Sequence, residues 1–246
     1  MTNCLKINNL SATVDNKLIL KNINLSIKPG EIHILLGPNG AGKSSFANTI
    51  IGNPNYQIIN GEIYLDAQNI TELPINLRAQ KGLFIAWQHP IEVPGVTNSD
   101  FLRLALKANG KNMGVIPFAL MYEKTALGLD FSKDLPHRFL NENFSGGEKK
   151  KNEILQMAVL KPKYAILDEI DSGLDIDALK LVFKEINEQV KNGLGILMIS
   201  HHQKILNYLT PDFIHVIIEG KIVKSGDVQL LKRIENDGYD WLKNVE

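Results

Sequence analysis

The sequence is short of cysteine, of aromatic residues and of net charge, and each shortage removes a class of protein. Its 246 residues include one cysteine, Cys4. A lone thiol cannot close an intramolecular disulfide, which points to a reducing compartment. Cys4 is expected to be an ordinary small side chain of the first strand. Basic and acidic residues number 27 each. The basic excess with which nucleic-acid binders displace phosphate counterions is therefore missing, and no nucleic-acid partner is expected. No segment approaches the roughly 18 consecutive apolar residues of a membrane helix, so no direct membrane insertion is expected. Residues 1–9 lack the apolar stretch of a secretory signal. These absences predict a soluble cytoplasmic protein, with any membrane part on another chain. An apolar content of 44% suits one domain with a sizeable core.

What is present alternates between strand and helix signals. Leu5 and Ile7, then Ile23, Leu25 and Ile27, recur at period two, as in half-buried strands. Pro29 and Gly30 turn the chain, and residues 32–36 are almost wholly apolar, like a strand buried on both faces. Similar runs at 82–86, 164–167 and 195–199 are flanked by helical patterns, which predicts a mostly parallel sheet with crossover helices. Residues 213–218 and 221–224, joined through Glu219 and Gly220, predict an edge hairpin. Leu179, Val182, Ile186 and Val190 mark a helix over about 175–192, with Gly193 at its end. Residues 90–143 have several Gly and Pro, helical patches such as 101–108 and no convincing strand, and predict a helical subdomain inserted into a single domain spanning 1–246. The Lys149–Lys150–Lys151 run is expected on a solvated helix face.

Gly37, Pro38, Asn39, Gly40, Ala41, Gly42, Lys43 and Ser44 spell G-x-x-x-x-G-K-S between a buried strand and a helix over 44–51, the sequence and context of a P-loop. Glycines let successive backbone N–H groups point at phosphates, and the following helix presents its positive end. Lys43 is expected to reach the β- and γ-phosphates of a nucleotide, with Ser45 beside it, and the Ser44 hydroxyl to ligate Mg²⁺. The strand at 164–167 ends in Asp168 and Glu169. Ligands gather at the carboxyl ends of parallel strands, so Asp168 is expected in the Mg²⁺ shell and Glu169 as the group polarising the attacking water. Ser145, Gly146, Gly147 and Glu148 open a helix to about 160. Ser145 and Glu148 have capping-box spacing, yet two glycines in a first turn weaken a helix and leave N–H groups bare. Two such helix starts in one chain imply either two phosphate sites or one site shared between two copies.

In order along the chain stand the P-loop, Gln88 after a strand, Ser145-Gly-Gly-Glu, Asp168-Glu169, Ser172-Gly-Leu-Asp175 and His201 after Ile199-Ser200. This series resembles the ATP-binding cassette ATPases over essentially the whole chain. The resemblance implies an α/β P-loop core with a mostly parallel sheet, flanking helices, an antiparallel β N-terminal part and a helical insertion. It implies ATP hydrolysis with Mg²⁺, with Gln88 near Mg²⁺ and the water, His201 on the γ-phosphate and His202 a bystander. It further implies a head-to-tail homodimer when ATP is bound, in which Ser145, Gly146, Gly147 and Asp175 act across the interface.

Departures refine the resemblance. Glu169-Ile-Asp replaces the Glu-Pro-Thr of transporter ATPases, and Lys149-Lys-Lys-Asn-Glu-Ile-Leu-Gln-Met-Ala-Val-Leu160 replaces a Gln/Arg-rich stretch. With Gln88-His-Pro-Ile-Glu-Val-Pro-Gly-Val96, Asp171-Ser-Gly-Leu-Asp-Ile-Asp-Ala-Leu179 and Gly220-Lys-Ile-Val-Lys-Ser-Gly-Asp227, these features resemble the SufC family, ATPases of the SUF iron–sulfur assembly machinery. That implies SufB- and SufD-like scaffold subunits as partners, met by the insertion near residues 88–96. Val14 stands where an adenine-stacking aromatic is usual, which implies weak base stacking. Alternatives are the nucleotide subunit of a membrane importer and a nucleotide sensor without turnover. Abundant Ile and Asn, with Lys favoured over Arg, suit an AT-rich genome, hence bacterial cytoplasm or plastid stroma.

Overall fold

The computed structural model describes residues 3–200 and 203–242. Strands β1 (Leu5–Val14) and β2 (Lys17–Ile27) form a hairpin. Its turn rests on Asp15 and Asn16, both left-handed at φ 49° and 61°, a backbone that Asp and Asn tolerate best among side-chain-bearing residues. The period-two residues Leu5, Ile7, Ile23, Leu25 and Ile27 are all buried. The fully buried β3 (Ile32–Leu36) leads into helix α1 (Lys43–Ile51). Next come β4 (Gln57–Leu65), β5 (Gln68–Asn69), helix α2 (Ile75–Gln80) and β6 (Leu83–Ala86). The chain then leaves the sheet through β7 (Val93–Thr97), α3 (Asn98–Ala108), α4 (Val115–Gly128) and β8 (Phe139–Leu140). It returns with α5 (Gly146–Leu160), β9 (Tyr164–Asp168), α6 (Ile176–Lys191) and β10 (Gly195–Ile199). The edge hairpin β11 (Phe213–Ile218) and β12 (Lys221–Gly226) and helix α7 (Val228–Asp237) follow.

Six strands form one sheet in the order β12-β11-β3-β10-β9-β6. The five from β11 to β6 run parallel and β12 pairs antiparallel at the edge. A second, antiparallel sheet has the order β2-β1-β4-β5. Successive side chains of a strand face opposite ways, so the large sheet feeds two cores. Ile34, Ile196 and Met198 pack on the side of α5, α6 and α7, while Leu35, Leu197 and Ile166 pack with α1 against the antiparallel sheet. Cys4 is buried immediately before β1.

Two expectations fail here. The insertion was expected to hold no strand, yet β7 and β8 pair antiparallel across it, Val93 opposite Leu140. A Pro-Gly pair inside Val93–Thr97 hides a short edge strand from any pattern reading. Lys150 does not lie on a solvated face. It is 6% exposed and donates to the Glu169 carbonyl and to Ser172 Oγ. Its neighbours are also engaged: Lys149 pairs with Glu92 at 2.7 Å, and Lys151 lies over the Phe131 ring.

Arg78 of α2 closes the end of α1. Its guanidinium donates to the carbonyls of Thr49 (3.0 Å), Ile50 (2.6 Å), Thr71 (2.6 Å) and Leu73 (2.7 Å). The helix's last carbonyls have no intrahelical donors, and a planar fork satisfies several at once. Burial lowers its pKa to about 10, so it remains charged at neutral pH. Arg78→Leu removes that donor from all four carbonyls, of which Thr49 keeps the Gly52 N–H, and is expected to lower unfolding free energy by about 3 kcal/mol. Urea denaturation checks this; a midpoint equal to wild type would contradict it.

Candidate active site

The site is built where β3, β6 and β9 end. Three glycines shape the loop after β3. A Cβ on Gly37 would lie 2.3 Å from the Ile217 carbonyl oxygen, and Gly40 and Gly42 adopt φ of 77° and 105°. Gly42 precedes α1 without any side-chain cap, so the first N–H groups of that helix point outward without side-chain partners, a ready anion cradle. By contrast α5 carries a complete capping box. Ser145 Oγ accepts from the Glu148 N–H (3.2 Å) and Glu148 Oε2 from the Ser145 N–H (2.9 Å).

Lys43 is 6% exposed and its Nζ donates to the carbonyls of Gly37 (2.8 Å) and Pro38 (3.0 Å). Burial lowers its pKa, against the pull of Glu169 and Asp168. Asp168, 3% exposed, has its carboxyl pushed up by burial, while the Ser44 hydroxyl donates to it. Its Oδ1 is buried without a hydrogen-bond partner. Glu169 is left-handed at φ 49°, a strained backbone for a residue with a Cβ. Its N–H donates to the Ile199 carbonyl (3.0 Å), while its own carbonyl accepts from Lys150 and Ser172. Its Oε2 accepts from Gln88 Nε2 at 2.5 Å.

Lys43, Ser44, Ser45, Gln88 and Glu169 thus converge on one open cleft of about 800 Å³, with Asn39, Gly40, Gly42 and Ile19 in its wall. Ser145, Gly146, Gly147 and Asp175 do not line it. Ser145 and Gly146 lie exposed, and a Cβ on Gly146 would meet nothing within 4 Å. Asp175, also exposed, caps α6 by accepting from the Ala178 N–H at 2.8 Å. His201, with His202, falls outside the described residues. Pro38 and Ala41 shape the loop, the Ala41 N–H donating to the Pro38 carbonyl. Val14 was expected at the base-stacking position. It sits half-buried at the hairpin turn, and the apolar wall comes from Ile19.

Two participants escape a motif reading. Lys150 is hidden in a charge run that usually means solvent. Glu153, 5% exposed, receives the Trp87 N–H on Oε2 at 3.2 Å, beside Gln88. Its one visible signal was a carboxylate beside the apolar pair Ile154 and Leu155 in a helix.

A divalent cation fits this donor set. The Ser44 hydroxyl, the unpartnered Asp168 oxygen and the Gln88 side chain are hard oxygen ligands of the kind Mg²⁺ takes, sharing it with phosphates and water. Among the described residues no cluster of three or more His, Cys, Asp or Glu could hold a metal unaided.

The family profile described as ABC transporter matches residues 20–172. The chain is 49% identical over 242 residues to "Vegetative protein 296" of Bacillus subtilis (strain 168), covering 97% of this chain and 93% of that protein. It is 49% identical over 244 residues to the "Probable ATP-dependent transporter ycf16" of Pyropia yezoensis, covering 97% of both. Among solved structures, an ATP binding subunit of an ABC transporter superposes with a TM-score of 0.83 at 24% identity, covering 98% of this chain and 100% of that one. A dimeric ATP-binding cassette bound to ADP and Pi superposes at 0.77 and 18% identity, over 91% and 98%; both show likeness of fold.

Burial raises Glu153 from 4.5 to about 7, the Trp87 N–H pulling the other way. A carboxyl raised in the folded state stabilises most below its unfolded pKa and loses that contribution as pH climbs through the folded value. Glu153→Gln should therefore match or trail wild type in unfolding free energy near pH 4.5 and gain on it up to pH 8, by at most about 3 kcal/mol. Denaturation at several pH values reads the difference; a constant offset would contradict it.

Proposed function

The chain belongs to the ABC transporter family of ATP-hydrolysing cassettes, and from that premise we propose that it is a magnesium-dependent ATP clamp of the SUF type. In this reading two copies close head to tail on ATP and thereby move SufB- and SufD-like scaffold subunits on which a cluster is assembled. The observation that carries the clamp is the incompleteness of one copy's cleft. It gathers Lys43, Ser44, Gln88 and Glu169, whereas the glycine-opened start of α5 stands exposed elsewhere.

The loop from Gly37 to Gly42 cradles the phosphates, with its N–H groups and those of α1 aimed at negative charge. Lys43 exchanges two carbonyl oxygens for β- and γ-phosphate oxygens, a stronger, charge-assisted pairing. Ser44, Gln88 and Asp168 hold Mg²⁺, which when bound offsets charge on the phosphate oxygens. Glu169 polarises the attacking water and Gln88, already bonded to it, positions both. Ser145, Gly146 and Gly147 of the other copy meet the γ-phosphate. The capping box fixes Ser145 and leaves the two glycine N–H groups to serve the anion. Asp175 starts α6 in the segment that would cross the interface, and His201 is proposed on the γ-phosphate.

The SUF assignment is supported by the Glu169-Ile-Asp segment and by Lys150, Asn152 and Glu153. In this fold these residues bond the site's own backbone and the insertion. The insertion, residues 90–143, also exposes Ile91, Leu104, Val115, Ile116, Leu120 and Leu127, apolar surface of a kind that partners cover. A second reading is the nucleotide subunit of a membrane transporter. The names of relatives favour it, among them "Probable ABC transporter ATP-binding protein SpyM3_0208" of Streptococcus pyogenes. No described helix is long and apolar enough to cross a membrane, so both readings place any spanning part on another chain.

Glu169→Gln is expected to bind ATP as wild type does and to lose about 10²–10⁴-fold in turnover, the range for general-base assistance. Retained turnover would remove Glu169 from the role. Capture with a tagged chain separates the partner readings: soluble scaffold proteins support SUF, a polytopic membrane protein the transporter.

A further inference from the structure

Glu153 has no place in the motifs and is costly where it sits. It is 5% exposed in the middle of α5, and it accepts a hydrogen bond from the Trp87 N–H. A carboxylate in an apolar interior is tolerated when its bond does something a cheaper residue would not. The bonded amide belongs to the first residue after β6, an edge strand paired on one side, with β9. Among the described residues that N–H has no sheet partner, and the next residue is Gln88.

The residue before it makes a matching tie. Asn152, fully buried, donates from Nδ2 to the side-chain oxygens of both Asn98 and Asn141, each at 2.8 Å. Asn141 donates in turn to the Ile91 carbonyl (2.9 Å), and Asn98 to the Arg138 carbonyl (2.9 Å). Consecutive residues of α5 therefore grip the chain on both sides of Gln88: Glu153 at Trp87, and Asn152, through Asn141 and Asn98, at Ile91 and the start of α3. Between these grips Gln88 donates to Glu169 at 2.5 Å. The N-terminus of this same helix is Ser145–Gly147. At about 1.5 Å rise per residue, Glu153 lies roughly 12 Å along the axis from Ser145, two turns of a rigid rod.

We propose that Glu153 is a positioning residue for Gln88, tying the segment that carries it to the helix whose glycine-opened start would meet the second copy's phosphate. The proposal deepens the clamp reading and rests on it. A shift of α5 on engaging that phosphate is passed to Trp87, and so to the Gln88–Glu169 bond, through one hydrogen bond and not through a long relay. Gln88 reaches its working position only while α5 holds it.

A double-mutant cycle on the full chain tests this. Glu153→Leu is expected to lower saturating Mg-ATP turnover about tenfold with KM for ATP changed less than about twofold, the pattern of a lost transition-state interaction. Glu153→Gln, which keeps an acceptor for Trp87, should return turnover to within about twofold of wild type. In a Gln88→Ala background the same Leu substitution should cost little further, because its effect passes through Gln88. Equal cost in both backgrounds, unimpaired turnover of Glu153→Leu, or failure of Glu153→Gln to rescue would each overturn the proposal. Glu153→Met, of similar length, carries the cycle if Glu153→Leu does not fold. Absence of Mg-ATP turnover in the unaltered chain would instead defeat the clamp reading itself.

Discussion

The phosphate- and cation-binding chemistry of this molecule follows from hydrogen-bonding capacity that the fold leaves unfilled at the carboxyl ends of its parallel strands. The first N–H groups of α1 lack a side-chain cap, Asp168 Oδ1 is buried and unpaired among the described residues, and buried Lys43 spends its hydrogen bonds on the Gly37 and Pro38 carbonyls. Each such group costs free energy when water is withdrawn. A triphosphate with a hard cation answers all of them together, anion to N–H and ammonium, cation to carboxylate. The binding function is the complement of what folding leaves unsatisfied.

The two sheets and the insertion make that arrangement possible. Alternation along β3, β9 and β10 sends apolar side chains into both cores and leaves only the strand ends free to carry function. The antiparallel sheet packs on α1 and fixes the loop from outside, and Arg78 closes the helix's far end. The insertion departs after β6 and returns into α5, so in the proposed clamp a partner's push on the insertion would reach the site through the segment carrying Gln88. Glu169, strained at φ 49° and held by Ile199, Lys150 and Ser172, is the kind of over-determined backbone that a reacting site retains.

Much of this was legible in the residues alone, because the signals are backbone demands. Only glycine suits φ of 77° and 105° without strain, so Gly40 and Gly42 announce their loop. A buried strand ending in two carboxylates announces β9. The α6 boundaries fell within a residue of Ile176–Lys191, since Asp175 and the apolar period mark them. What was not legible depends on distant partners. Lys150 looks like a surface charge until Glu169 and Ser172, 19 and 22 residues away, are placed beside it. Strand β7 is interrupted by Pro94 and Gly95, β8 is two residues long, and both exist through pairing with each other. Ile19 lines the cleft from the start of β2, which no local pattern encodes.

The central claim is that the cleft is completed by a second copy. It is tested most directly by a crystal structure of Glu169→Gln with magnesium and ATP. The account predicts a head-to-tail pair in which Ser145 Oγ and the Gly147 N–H of one copy lie within hydrogen-bond reach, about 3 Å, of the γ-phosphate on the other copy's Lys43. Finding residues 145–147 remote from every terminal phosphate, with the chain alone or with its partners bound, would contradict it.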